Sequence, residues 1–230
     1  MHEACSPFRS MLVGSTLLLL GGCASQTLFQ SNFDTTIGQP PTPTQQVGTA
    51  AVFGPSGGAV IVASPVTTGG RWLQVSRTTA DVGMQGKFAQ FLGDGNYTFD
   101  ATVFMPTGTG VASISFEPSS ASADNPLQYF LHIDLMPDNS VRIDDLDSTK
   151  FGTFPRDQPF IVQVTLQIQA PQSTAHIVLG GTSATGIKDY TIAAPYQANS
   201  RQFGAIRIWQ GYDNHGAFDA TNVVVTRRVQ

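Results

Sequence analysis

The chain has 230 residues and a formal net charge of −4, and only 12% of its residues are charged, about half the usual share. That balance argues against long exposed helices, which use Glu and Lys on their wet faces, and against a basic face for nucleic acid. Abundant Gly, Pro, Thr, Ser and Gln point instead to strands and turns, and the acids are almost all Asp, with Glu117 the one glutamate after residue 3.

Residues 1–22 have the three-part layout of an export signal: a segment carrying Arg9, an apolar run from Met11 to Leu20, and the small Gly21 and Gly22 ahead of Cys23. A run of about ten apolar residues cannot cross a hydrocarbon core that takes about 20, so it reads as a transient address. Leu20-Gly21-Gly22-Cys23 resembles the lipobox of bacterial lipoproteins. The resemblance implies cleavage before Cys23 and acyl chains of the palmitate class on that cysteine. Each buried methylene contributes about 0.8 kcal/mol, so several chains hold a protein to a membrane where one would not. Ala24-Ser25 after the cysteine implies the outer membrane of a Gram-negative envelope. Cys5 lies in the removed segment, which leaves the mature domain no thiol for a disulfide, a zinc cluster or a nucleophile.

The expected layout is a signal at 1–22, a lipidated tether at 23–27 and one domain over 28–230; a chain of roughly 200 residues is long enough for one sizeable core. Leu28 to Asp34 reads as a first strand. Gln39-Pro40-Pro41-Thr42-Pro43-Thr44 cannot be helix, because prolines remove donors and push their predecessors to extended geometry. Strands are then predicted at 47–53, 59–63 and 72–76, separated by glycine-rich turns. Tyr97, Phe99, Ala101, Val103 and Met105 line one face of the next strand, and Val111 to Glu117 returns. Tyr129, Leu131, Ile133 and Leu135 alternate with Gln128, Phe130, His132 and Asp134, and Pro137-Asp138-Asn139-Ser140 turns this strand into Val141 to Asp144. The clearest period of two is Val162, Val164, Leu166 and Ile168 against Gln163, Thr165, Gln167 and Gln169. Strands at 175–179, 187–192, 203–209 and 220–228 complete an all-β, two-sheet antiparallel sandwich.

The order of a leading Phe-rich strand (Leu28-Phe29 to Phe33-Asp34), Tyr97 to Val103, the hairpin about Asp138-Asn139, the pair 160–169 and 174–181, and a closing Phe218 to Val225 resembles the concanavalin A-like jelly rolls of lectins, glucanases and laminin G-like modules. It covers most of residues 28–228 as a pattern of strands. The resemblance implies that the first and last strands lie side by side, and that one sheet presents a ligand-holding face.

Three sets of residues are candidates for chemistry. Glucanases of this fold use a Glu-x-Asp-x-x-Glu strand whose carboxyls share a cleft, and Glu117 alone does not supply it. Lyases of this fold pair a Gln and a His with an Arg and a Tyr; His132 and Asp134 share a strand face and are the candidate base and its neighbour, although the family's Gln-x-His triplet is absent. Asp144, Asp145 and Asp147 are either a solvated turn or a calcium site of the kind that laminin G-like modules carry. The third set is Arg207, Trp209, Tyr212, Asp213 and His215, a strand that runs into a glycine-bracketed loop. Sugar binding needs flat aromatic faces and fixed polar partners, and these residue types supply both. The readings that follow are a lipid-anchored, non-catalytic module for polysaccharide, a lyase or atypical hydrolase built on His132, Asp134 and Arg207, and an envelope protein that contacts another protein.

Overall fold

Strand pairing begins almost at the cysteine. The computed structural model describes residues 24–67, 70–76, 80–90, 93–123, 128–143, 147–211 and 214–228. Its strands, in chain order, are β1 (Ser25–Ser31), β2 (Thr49–Phe53), β3 (Ala59–Ala63), β4 (Arg71–Ser76), β5 (Val82–Lys87), β6 (Gly95–Phe104), β7 (Ala112–Pro118), β8 (Leu131–Leu135), β9 (Val141–Ile143) and β10 (Asp147–Phe151). They continue with β11 (Pro159–Ile168), β12 (Thr174–Gly180), β13 (Gly186–Thr191), β14 (Phe203–Gln210) and β15 (Ala217–Arg228), and a short helix α1 (Gln197–Ser200) precedes β14.

The strands form two antiparallel sheets, the predicted sandwich. An eight-stranded sheet runs β13-β12-β11-β6-β15-β4-β3, with β1 also on β15, and a seven-stranded sheet runs β10-β9-β8-β7-β14-β5-β2. The first and last strands are neighbours, with Ser25 opposite Arg228 and Ser31 opposite Val223. Ser25, Gln26 and Thr27 of the span expected as a tether therefore belong to the sheet.

Period two fixes which side chains meet between the sheets. Val162, Val164, Leu166 and Ile168 of β11 point inward while Ile161, Gln163, Thr165 and Gln167 face solvent. In register beside them, Phe99, Ala101 and Val103 of β6 also point inward. The facing sheet supplies Ile114, Phe116, Leu131, Ile133, Ile206 and Ile208. Each such buried side chain stabilises the fold by about 1.5–3 kcal/mol relative to exposure. Phe203 sits at an aromatic junction, with edge contacts to Phe88, Tyr97 and Phe130 at centroid distances of 4.7, 5.3 and 5.3 Å. In β15 the register shifts between Thr221 and Val224, and Asn222 takes a positive φ of 50°. The irregularity lets Phe218 and Ala220 before it, and Val223 and Val225 after it, all reach the core.

Two strands are not evident from pattern alone. β5 carries Gly83 and Gly86, which weaken strand propensity. Both are needed for space: a Cβ on Gly86 would lie 2.8 Å from the Phe29 ring, and one on Gly83 would lie 2.5 Å from Trp209 Cβ and 2.3 Å from the Ile208 carbonyl oxygen. β10 pairs with β9 through a register shift and has no clear alternation.

Candidate functional site

On the seven-stranded sheet, the residues that alternate with the core form a polar face on the side away from the other sheet, buried at most positions and partly exposed at Trp209 and Arg142. Ser113, Ser115 and Glu117 of β7 alternate with the buried Ile114 and Phe116. Arg207 and Trp209 of β14, His132 and Asp134 of β8, Arg142 of β9 and Gln85 of β5 stand in register beside them. His132 lies opposite Ser115, which lies opposite Arg207; Asp134 lies opposite Ser113, which lies opposite Trp209. The four residues His132, Asp134, Arg207 and Trp209 thus share one face; the strand pattern placed His132 with Asp134, and the register adds Arg207 and Trp209.

They serve two separate arrangements. In the first, the half-buried Trp209 donates its indole N–H to Ser115 Oγ at 2.9 Å and stacks on His132, with ring centroids 5.5 Å apart and planes at 28°. Tyr129 meets the His132 ring edge-on at 5.0 Å and Tyr196 stands 5.6 Å beyond it. His132 Nε2 is 3.0 Å from Asp134 Oδ1, off the line of a hydrogen bond, and neither ring nitrogen of His132 has a hydrogen-bond partner among the described residues. Asp134 Oδ1 accepts from Ser113 Oγ at 2.7 Å, and Oδ2 accepts from Arg142 Nε at 3.1 Å and from its terminal nitrogen. Burial acts to raise the Asp134 pKa, but His132, Ser113 and Arg142 outweigh it and hold the carboxyl well below the ordinary range. The result is a flat aromatic plate beside a fixed carboxylate–guanidinium pair.

In the second arrangement Arg207 is wholly buried. Its Nε is 2.7 Å from Glu117 Oε1, a terminal nitrogen donates to the Ser122 carbonyl at 2.9 Å, and its guanidinium lies 4.5 Å from the centre of the Phe53 ring. Gln85 Nε2 donates to Glu117 Oε2 at 2.6 Å. Burial raises the Glu117 pKa, with Arg207 and Gln85 opposing. Arg207, expected among the residues that touch ligand, is thereby corrected to a support of the floor: its charge is spent on Glu117, and the loop carrying Ser122 covers it.

Glu117 and Asp134 do not form a hydrolytic carboxyl pair. They are the acids on the strands of this face among the described residues, and their rows are four residues apart, about 13 Å along the strands. Hydrolysing pairs stand roughly 5–9.5 Å apart with one member free to give a proton, whereas both acids here are tied to arginine.

His215 is exposed at the end of this face; its backbone carbonyl accepts from Gly110 N at 2.9 Å, and Asn214 Oδ1 accepts from Val111 N at 3.0 Å. Tyr212 and Asp213 lie outside the described residues, as do Asp144, Asp145 and Cys23, and Asp147 is placed only as the first residue of β10. Among the described residues no group of three or more His, Cys, Asp or Glu side chains could hold a metal ion. Sequence reasoning passed over Gln85, Ser113, Ser115 and Arg142, and it set Tyr129 on the side of Leu131 and Ile133, whereas Phe130 enters the core and Tyr129 meets His132. The alternation Ser113-Ile114-Ser115-Phe116-Glu117 carried a signal for three polar residues on one face.

Comparison with known proteins places the fold. No protein-family model matches the chain, and no curated protein matches it in sequence. Among solved structures, an endo-1,3-beta-glucanase from Streptomyces sioyaensis superposes with a TM-score of 0.55 at 10% identity, covering 94% of this chain and 100% of that one. Lectin II from Ulex europaeus gives 0.51 at 12% identity, and arcelin-5, a lectin-like defense protein from Phaseolus vulgaris, gives 0.51 at 7%; each covers 90% of this chain and 99% of its own. The sandwich is the concanavalin A-like jelly roll, and at these identities the likeness extends to the fold alone.

Proposed function

We propose that this chain is a non-catalytic glycan-binding module, held to a bacterial envelope by acylated Cys23, that takes polysaccharide on the polar face of its seven-stranded sheet around Trp209. The observation that carries the reading is the Trp209–His132 stack with its indole N–H fixed by Ser115, beside the Asp134–Arg142 pair. A sugar ring offers an apolar face to an aromatic plate and hydroxyls to fixed donors and acceptors, and both are in place here. The jelly-roll fold is compatible with this use but does not assign it. The test is a glycan array probed with the full chain: binding to a defined class of polysaccharide supports the reading, and silence across the array counts against it.

A lyase is the second reading because His132 Nδ1 has no hydrogen-bond partner among the described residues while Nε2 stands 3.0 Å from Asp134 Oδ1, with Tyr129 beside the ring. Its weakness is Arg207, which is wholly buried against Glu117 and so does not neutralise a uronate beside His132. Release of unsaturated uronate or of reducing ends, lost in His132→Ala, would establish this reading over the first.

A further inference from the structure

A polar concavity lies at the end of the sandwich away from Trp209, beside the start of β1. It encloses about 440 Å³ and is bordered by Asp94, Gly95, Asn96, Gln167, Arg227 and Arg228. Its charge is unbalanced. Asp94 is held by a bidentate pair from Arg201, with both contacts at 2.9 Å, which neutralises the one acid of the border. Arg227 donates to the Asp94 backbone carbonyl at 2.6 Å, and its Nε is buried with no hydrogen-bond partner among the described residues. Arg228 is exposed. Gly95 makes the arrangement possible, since a Cβ there would lie 2.8 Å from Arg227 Nε. Two guanidinium groups with spare donors beside amide side chains suit a phosphate oxygen.

The register says what stands next to this concavity. Arg228 is opposite Ser25 and Arg227 is opposite Gln26, so the two arginines flank the first residues of the domain. Cys23 is two residues back, a span of at most about 7 Å. The opposite end of β15 is about 36 Å away, and there Ala217 follows the loop from β14 that begins just after Trp209. We infer that the Arg227–Arg228 concavity seats the domain on the membrane by binding the phosphate of anionic phospholipid headgroups, with the Trp209 end turned away from the bilayer. The choice of a membrane as the occupant rests on acylation of Cys23. With a strand starting at Ser25 there is little slack to hold this end off the surface.

The test uses the full chain carrying Cys23→Ala, so that no acyl chain contributes, in co-sedimentation with vesicles of phosphatidylglycerol in phosphatidylcholine and of phosphatidylcholine alone. The leader is common to all variants, and the readout is the ratio of the two partition coefficients. The expected ratio favours phosphatidylglycerol, falls at high salt, drops about five-fold in Arg228→Gln and about 25-fold in the Arg227→Gln/Arg228→Gln double variant, and recovers in Arg228→Lys. Because Arg227 also touches its own strand neighbours, the exposed Arg228 variants decide the matter if the double variant unfolds. Equal partition into both vesicles, or a ratio unchanged by Arg228→Gln, overturns the inference. Protection of the concavity by inorganic phosphate without retention on either vesicle also overturns it, in favour of a soluble phosphate ligand. Palmitate labelling of the wild-type chain is scored separately: labelled protein without headgroup selectivity sinks this inference alone, and unlabelled protein sinks the anchor on which its occupant rests.

Discussion

Trp209 and His132 stack across the strand that separates them, 5.5 Å between ring centroids, with Ser115 of that intervening strand holding the indole N–H. Neither ring belongs to the core between the sheets; both stand on the polar face of one sheet. A tryptophan that was only filling space would be expected to turn inward with Ile206 and Ile208. This one is fixed in orientation by Ser115 and half-buried.

Room for that orientation comes from β5. Gly83 lies opposite Trp209, and any Cβ at that position meets Trp209 Cβ at 2.5 Å and the Ile208 carbonyl at 2.3 Å. Gly83→Ala is expected to destabilise the protein by about 1–3 kcal/mol and to shift the tryptophan emission spectrum, measured by urea unfolding and fluorescence.

The same glycines explain why this part of the sheet was hidden in the sequence. The strict alternation of β11, the Tyr97 to Val103 face of β6 and the hairpin at Asp138-Asn139 follow from period two and turn chemistry, the pairing of first and last strands is what the jelly-roll resemblance implied, and the structure has each of them. β5 was not predicted because Gly83 and Gly86 serve partners more than a hundred residues later and some sixty residues earlier, Trp209 and Phe29, that no local pattern reveals. The candidate face was legible in part for a related reason. Strand alternation puts His132 with Asp134 and Arg207 with Trp209, but only the register brings the two pairs to one face and shows that Arg207 turns to Glu117 and Gln85, which lie on two different strands.

That buried pair sets a second expectation. Removing one partner leaves the other charge buried without compensation, so Glu117→Gln should cost about 3 kcal/mol, whereas Glu117→Leu combined with Arg207→Met should cost less than the sum of the two single changes. A double-mutant cycle in urea measures it, and additive effects would show that the pair is not coupled.

Asp134 gives stability that depends on pH. Its folded carboxyl is held below the ordinary range, so its contribution is complete above the unfolded-state pKa of about 4 and is lost as pH falls towards the folded value. Asp134→Asn is expected to destabilise the protein by about 3 kcal/mol at neutral pH, with the difference narrowing steadily in acid. Urea midpoints taken across the acid range check the sign.

Asp219 works in the opposite sense. It is buried on β15 with Gln74 Nε2 at 3.0 Å, and burial lifts its pKa from 3.8 to about 6 against that hydrogen bond. Protonation therefore favours the folded state: the penalty is absent below about pH 4, grows as pH rises, and is complete above the folded pKa. Asp219→Asn should raise neutral-pH stability by on the order of 2–3 kcal/mol and change little in acid. A neutral-pH melting point that fails to rise would contradict the assignment.

The central claim, that Trp209 forms the floor of a glycan site, is tested most directly by affinity gel retardation of Trp209→Ala in the polysaccharide that binds best on the array. A matched control, Gln163→Ala, lies on the exposed face of the other sheet. The account predicts that Trp209→Ala migrates as if the polysaccharide were absent while keeping the β-sheet circular dichroism of the wild type, and that the control is retarded like the wild type. Retardation of a folded Trp209→Ala protein equal to that of the wild type would contradict it.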